Sequence, residues 1–179
     1  MWRKRAMVGV GLLIVGFVLI QIVPMGAFIS SLKRDEHPPT EIQIQWDSPE
    51  TESLIRTACY DCHSNETVWP WYSYIAPASW LVVHDVNDGR GHLNFSRTNI
   101  VDHTLQDFLD DVTWHIQNNM PPRKYLILHP DAALNDEQQA QLIAGITTTI
   151  TGMVESGQLA ENTADGDTNM NMDTDTGGN

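Results

Sequence analysis

The stretch Cys59-Tyr60-Asp61-Cys62-His63 decides how the rest of this 179-residue chain is interpreted. Its two cysteines are the only ones in the sequence, and they stand three positions apart with a histidine directly after the second. Random shuffling of the same composition would give this arrangement only roughly four times in ten thousand. In a C-x-x-C-H pattern, each thiol can add to one vinyl group of a haem while the adjacent imidazole binds the iron. The pattern therefore predicts one covalent c-type haem, with Cys59 and Cys62 as thioether anchors and His63 as the proximal iron ligand.

Three other interpretations of the cysteine pair remain open at this point. A thioredoxin-like redox dithiol usually follows a strand in a βαβ unit and needs no adjacent histidine. A structural zinc site usually takes its ligands in two spaced pairs, and this chain has no H-x3-5-H pair. A disulfide between Cys59 and Cys62 would close a very small, strained loop and would add little stability.

The N-terminal region predicts a membrane anchor. Residues 3–5 are basic, and residues 6–29 follow without a charged side chain. A helix of that length can cross a hydrocarbon core of about 30 Å. Because the apolar run is longer than the core of a signal peptide, we expect an uncleaved anchor, with cleavage near Gly26-Ala27 as the alternative.

The orientation of this anchor follows from its flanking charges and from the haem motif. The three basic residues before the span outnumber Lys33 and Arg34 after it, which favours a cytoplasmic N-terminus. In c-type cytochromes the haem is attached on the outer side of the bacterial cytoplasmic membrane. We therefore expect a single-pass protein of the bacterial cytoplasmic (inner) membrane, which contacts lipid through residues 6–29 and has its soluble domain in the periplasm.

The soluble part is strongly acidic. From Asp35 onward the chain has 23 acidic and five basic residues, which gives a net charge of −18. Such a charge excludes nucleic acid as a partner. A redox partner protein with a basic docking face would be attracted to it, although the same acidity would also serve simply to keep the domain soluble.

The fold is predicted to be mostly α. Apolar residues recur with helical spacing, and no alternation of apolar and polar residues is long enough to demand a sheet. Helix start and stop signals predict helices at residues 48–58, 76–89, 102–118 and 135–152. We expect a basic cluster and transmembrane anchor in residues 1–34, a small cytochrome c-like helical domain around one covalent haem in residues 35–154, and a disordered acidic tail in residues 155–179.

The second axial position of the iron decides between electron transfer and ligand chemistry. Met120 is the predicted ligand, because its soft thioether lies just past a helix end in a loop stiffened by two prolines. The competing interpretation is a methionine that fills a gap in the core. Five histidines are further candidate donors: His84, His92, His103, His115 and His129.

Several other side chains are candidates for contact with the haem. Arg90 could pair with a propionate, and a solvated turn arginine is the alternative. Large flat rings close to the motif are expected to form the walls of the haem pocket, since they supply much apolar area for little lost rotamer freedom. These rings belong to Trp69, Trp71, Tyr72 and Trp80.

A set of short segments carries a resemblance to a known family. They are 58–67 (ACYDCHSNET), 69–73 (WPWYS), 75–77 (IAP), 79–81 (SWL), 89–90 (GR), 93–96 (LNFS), 37–39 (HPP), 120–122 (MPP), Tyr125, 129–130 (HP) and Ala133. Together they resemble the bacterial haem-binding domain family, whose members are similar to small, membrane-anchored, single-haem c-type proteins. Two departures occur: Arg97 and Thr98 replace an acidic residue and an aromatic one, and the last helix lacks an expected tryptophan.

These observations predict a membrane-anchored c-type cytochrome that transfers single electrons on the periplasmic side, and so an electron carrier more than an enzyme. Its redox partner proteins are not identified by the sequence. One alternative is a haem-based peroxidase, or a gas or redox sensor, with an open or displaceable sixth ligand. A second is an adaptor domain that uses haem only to fold. Whether Met120 binds the iron separates the carrier from the peroxidase or sensor.

Overall fold

The computed structural model describes residues 2–36, 38–101 and 104–160. The helices of this part are α1 (Trp2–Ile22), α2 (Met25–Phe28), α3 (Pro49–Ala58), α4 (Tyr60–His63), α5 (Ala78–His92), α6 (Leu105–Asn118), α7 (Arg123–Leu126) and α8 (Asp136–Glu155), with 3-10 turns at Ser30–Leu32, Trp71–Tyr74 and Pro130–Ala132. No strand occurs among the described residues. The prediction of a mostly α, small helical domain preceded by one apolar helix is therefore confirmed.

Helix α1 has the length and composition of a membrane-spanning helix. It has 21 residues, none of them buried, and it is the one helix in the described part that is long and apolar enough to cross a bilayer. It ends at Ile22, because Pro24 lacks an N–H and disfavours helical geometry in the residue before it. The apolar stretch 6–29 is thus not one continuous helix, since α2 follows after the break.

The main hydrophobic core lies between α3, α6 and α8. Helix α8 packs against both α3 and α6, and its contact with α3 is close because a Cβ at Gly145 would overlap the side chain of Thr51. The buried members of this core are Ile44, Ile55, Tyr60, Phe95, Ile100, Val101, Phe108, Ile116, Leu142, Ile146, Ile150, Met153 and Leu159. Their burial supplies the main stabilisation of the domain, because apolar area removed from water is the largest favourable contribution to folding.

A second group of elements packs around α5. Helix α5 contacts α4, the 3-10 turn Trp71–Tyr74 and the 3-10 turn Ser30–Leu32. Helix α4 also contacts α3, so it lies between this group and the main core. The haem motif, which ends in α4, is therefore held from both sides.

Two predicted helix ends are wrong, both at glycines. Helix α5 continues through Gly89 to His92, and the N–H of Leu93 still donates to the carbonyl of Gly89 at 2.9 Å. Helix α8 continues through Gly152 to Glu155, and the left-handed glycine after it is Gly157, with φ of 72°. A glycine ends a helix only where the chain needs a positive φ, which neither predicted position does.

Two other predicted segments, the third helix and the C-terminal tail, lie partly outside the described residues. Helix α6 begins at Leu105, where the Thr104 side chain accepts a hydrogen bond from the Asp107 N–H. At the other end of the chain, Leu159 is only 2% exposed, although it lies within the predicted tail. Outside the described residues lie His37, the predicted start of α6 at Asp102, His103 and residues 161–179.

Candidate haem site

The haem motif forms one tight turn at the end of α3. Ser48 caps the start of this helix by accepting a hydrogen bond from the Thr51 N–H at 3.1 Å. After the helix ends, the carbonyl of Cys59 accepts hydrogen bonds from the N–H groups of Cys62 (3.2 Å) and His63 (2.9 Å). The two thiols and the imidazole thus belong to a single turn of backbone, made of Cys59 and α4.

Both cysteines are free thiols in a partly buried environment. Burial raises the pKa of Cys59 to about 12, and the neighbouring Cys62 adds to this shift. Burial also raises the pKa of Cys62 to about 12, with smaller contributions from Asp61 and Asp85. Redox-active dithiols have a lowered thiol pKa, so this environment does not suit the dithiol interpretation.

The His63 side chain is oriented by the backbone of α5. Its Nδ1 atom lies 3.1 Å from the carbonyl oxygen of Gly89 and 3.1 Å from that of Leu93. Because a carbonyl oxygen can only accept, Nδ1 carries the proton and donates it, which leaves the lone pair of Nε2 for a metal. Histidine ligands commonly have this second hydrogen bond to a backbone carbonyl. Burial lowers the pKa of His63, and these two hydrogen bonds oppose the shift.

Gly89 makes this arrangement possible. A Cβ at this position would lie 2.6 Å from the carbonyl oxygen of Cys62 and 3.1 Å from its Cβ. Only a glycine therefore lets α5 approach α4 closely enough for the Gly89 carbonyl to reach the His63 ring. The donor set and this close approach fit a haem attached through Cys59 and Cys62 with His63 on the iron.

A cavity of about 340 Å³ lies elsewhere, beside Trp46, Arg56 and Tyr60, and neither cysteine nor His63 lines it. Among the described residues, no three His, Cys, Asp or Glu side chains are grouped so that they could hold a metal ion. The zinc interpretation therefore lacks further ligands in this part of the chain. The donor chemistry of α4, and not a cavity, identifies the site.

A hydrogen-bonded network that the sequence reasoning missed joins α7 to the haem motif. The Tyr125 hydroxyl donates to the Asp61 carboxylate at 3.0 Å, and the other oxygen of Asp61 accepts from the Val68 N–H at 3.0 Å. The Tyr125 ring stacks on His129 at 4.1 Å, and the Nε2 atom of His129 is hydrogen-bonded to the Tyr72 hydroxyl at 2.7 Å. Burial and the Asp61 charge raise the pKa of Tyr125.

Signals for this network were present in the sequence. Asp61 lies inside the motif, and Tyr125 and His129 stand four residues apart, both at positions that carry the resemblance. What the sequence did not show is that the segment folds back onto α4.

Met120 lies in the loop between α6 and α7. It is partly buried, and its N–H donates to the carbonyl of His115 at 2.9 Å. Helix α7 follows almost at once and is attached to α4 through the Tyr125–Asp61 hydrogen bond. The loop is therefore anchored to the motif at one end, and the role of Met120 as an iron ligand stays a prediction.

The competing histidines have partners of their own. His84 and His92 are exposed beside Asp85 and Asp88, at 3.7 and 3.8 Å. The Nδ1 atom of His115 is hydrogen-bonded to the Asn119 side chain at 2.9 Å.

Arg90 is partly buried and makes three hydrogen bonds within the protein. Its guanidinium donates to the carbonyl of Ser64 (2.8 Å), the carbonyl of Asp35 (2.7 Å) and the hydroxyl of Thr67 (2.9 Å). It therefore joins three segments of the chain behind the motif.

The predicted aromatic walls have different environments. The guanidinium of Arg34 lies 4.2 Å from the centre of the Trp69 ring, Trp71 is 74% exposed, and Trp80 is partly buried. Their role in a haem pocket stays a prediction.

The domain is small and helical, and its two free thiols lie beside a histidine whose Nε2 is free to bind a metal. These features are those of the class of small haem-binding proteins. Residues 15–148 match the model of the haem-binding domain, so this chain belongs to the haem-binding domain family and binds haem.

One curated relative is a cytochrome c peroxidase from Escherichia coli (strain K12), which is 30% identical over 98 residues. The match covers 52% of this chain and 21% of the relative, so the chain spans about a fifth of that protein. No solved structure matches the chain.

Proposed function

We propose that this protein is a membrane-anchored c-type cytochrome that transfers single electrons on the periplasmic side of the bacterial cytoplasmic membrane. The observation that carries the proposal is the orientation of His63, whose Nδ1 donates to two backbone carbonyls and whose Nε2 is left free beside two thiols. The length and composition of α1 support the membrane anchor.

Cys59 and Cys62 hold the haem covalently. The Sγ atom of each would be joined to one vinyl carbon of the haem, with the thiol hydrogen on the neighbouring vinyl carbon. Atoms and electrons therefore balance without an oxidant. Two thioether bonds from one turn of backbone keep the ring against α4.

His63 and Met120 would bind the haem iron. The bound haem supplies a one-electron couple between ferrous and ferric iron. The carbonyls of Gly89 and Leu93 keep the proton of His63 on Nδ1, which orients Nε2 and increases its basicity. A Met120 thioether on the iron would favour a raised potential and would leave no open site for a substrate.

The decisive experiment is a spectroscopic test of the full chain, expressed with a c-type maturation system. A pyridine haemochrome assay should show one haem with two thioether bonds. The oxidised protein should show the charge-transfer band of methionine bound to ferric iron, and Met120→Ala should remove it. Met153→Leu, a volume-conserving change of a buried core methionine, should keep it. Absence of covalent haem would refute the attachment, and a band that survives Met120→Ala would refute the ligand assignment.

A second candidate function is peroxide reduction, which the similarity to the E. coli cytochrome c peroxidase favours. Two electrons from two reduced donor proteins, together with two protons, would convert one hydrogen peroxide to two waters. Steady-state oxidation of reduced cytochrome c by peroxide tests it. Turnover by a wild type that lacks the methionine band would support the peroxidase, whereas a wild type with the band and without turnover would support the electron carrier.

A further inference from the structure

The end of α1 is attached to the soluble domain at Ala76. The side-chain amide of Gln21, in the last turn of α1, donates to the Ala76 carbonyl at 3.0 Å. Its Oε1 accepts a hydrogen bond from the Ala76 N–H at 2.9 Å. These two hydrogen bonds fix the position of Ala76, and of the domain surface around it, relative to the end of α1.

Four large apolar side chains within five residues of Ala76 are exposed. They are Trp71 (74%), Tyr74 (61%), Ile75 (39%) and Leu81 (50%), and we call them the interfacial patch. Exposed apolar groups clustered in this way mark an interaction surface. Tryptophan and tyrosine are also the residues enriched at membrane interfaces.

The chain segment that carries the interfacial patch has no charged side chain of its own, although the guanidinium of Arg34 lies 4.3 Å from the centre of the Tyr74 ring. No Asp, Glu, Lys or Arg occurs between Glu66 and Asp85, although the chain from Asp35 onward has a net charge of −18. A protein docking surface on such an acidic domain would be expected to use its charge. A lipid surface favours a segment without carboxylates, and an arginine beside aromatic rings is compatible with the headgroup level, where basic and aromatic side chains are both found.

The segment between the anchor and the domain is held firmly. The guanidinium of Arg34 lies between the rings of Trp69 (4.2 Å) and Tyr74 (4.3 Å) and donates to the carbonyl of Ser73. The amide of Asn87 donates to the carbonyls of Ser31 and Lys33, both at 2.9 Å. These contacts oppose a swinging motion of the domain away from the end of α1.

We propose that the interfacial patch is inserted into the headgroup and acyl boundary of the bilayer that α1 crosses. This inference rests on the proposed membrane anchoring. Because Gln21 fixes Ala76 beside the last turn of α1, the neighbouring apolar side chains lie at the level where that helix leaves the hydrocarbon. Gly89 lies 11 residues after Ala78 in α5, or about 17 Å along the helix axis, so the haem motif is held near the membrane surface.

Site-specific photo-crosslinking of the full chain in phospholipid nanodiscs tests the inference. The photoreactive residue p-benzoylphenylalanine replaces Trp71, and adducts are identified by mass spectrometry. Val15, at the middle of α1, is the positive control. Trp114 is the matched negative control, because it is 54% exposed but lies in α6 among acidic residues. The same replacement at Leu81 repeats the test at a second position of the interfacial patch, in α5.

Phospholipid adducts at positions 71, 81 and 15, with none at 114, are the expected result. A lipid adduct at 15 without one at 71 and 81 would overturn the inference and leave the anchor intact, as would adducts at 71 and 81 to protein alone. Absence of a lipid adduct at 15 would instead refute the membrane anchoring on which the inference rests.

Discussion

Replacement of Gly89 by alanine should destabilise the domain, whereas the same change at Gly91 should not. A Cβ at position 89 would lie 2.6 Å from the carbonyl oxygen of Cys62, which is backbone and cannot turn away. A Cβ at position 91 would meet nothing within 4 Å. Both glycines lie in α5, so the pair separates steric overlap from helix propensity.

The magnitude follows from these two contributions. Alanine is favoured over glycine in a helix by about 1 kcal/mol, and this gain applies to both variants, though less at Gly91 near the helix end. Overlap in a packed region costs about 1–3 kcal/mol, and it applies only at Gly89. For a domain of roughly 110 residues, 1 kcal/mol corresponds to a Tm shift of about 4 °C. Gly89→Ala should therefore melt about 4–12 °C below Gly91→Ala.

Thermal unfolding of the haem-loaded full chain in detergent, followed by far-UV circular dichroism, measures this difference. The structure also requires that Gly89→Ala move the Gly89 carbonyl away from the His63 ring. We therefore expect a change in the visible spectrum of Gly89→Ala and none for Gly91→Ala. Equal melting temperatures for the two variants would refute the close approach of α5 to α4.

Two further contacts give predictions of the same kind. Gly145→Ala should lower the free energy of unfolding by up to about 2 kcal/mol, because overlap of its Cβ with a buried side chain of α3 costs about 1–3 kcal/mol and the helix gains only about 1 kcal/mol. Gly152→Ala in the same helix should raise the free energy of unfolding by up to about 1 kcal/mol, since its Cβ meets nothing. Thermal melts check both, and equal effects would contradict the helix packing. Tyr125→Phe should cost about 1–2 kcal/mol through the lost hydrogen bond to Asp61 and should speed amide exchange in residues 123–129. Unchanged exchange there would show that this bond does not hold α7 to α4.

The helix starts could be predicted from the sequence because their causes are local. Ser48 caps α3 through the Thr51 N–H, and Asn135 caps α8 in a reciprocal pair with Gln138; in each case the two partners are three residues apart. The continuation of α5 through Gly89 and of α8 through Gly152 could not be predicted in the same way. A glycine that ends a helix and a glycine that admits a neighbouring backbone have the same local sequence signal.

The same distinction applies to the site. The thiols and the imidazole lie within five residues, so their chemistry is visible in the sequence. The Gly89 carbonyl that orients His63 is 26 residues away, and the Tyr125 hydroxyl that binds Asp61 is 64 residues away. The three hydrogen bonds of Arg90 could not be predicted from the sequence, because their acceptors come together only when the segments around the motif fold.

The contact between Gln21 and Ala76 bears on whether the anchor is cleaved. Ala76 is 5% exposed, and both its N–H and its carbonyl are paired with the Gln21 side chain. Cleavage near Gly26-Ala27 would remove Gln21 and leave these backbone groups without those partners, at a cost of about 1–3 kcal/mol for each group that stays buried. A retained α1 avoids this cost, and it keeps one end of α5 attached to the anchor while the other end orients His63. We therefore expect α1 to be retained in the mature protein, and intact mass measurement of the purified protein tests this prediction.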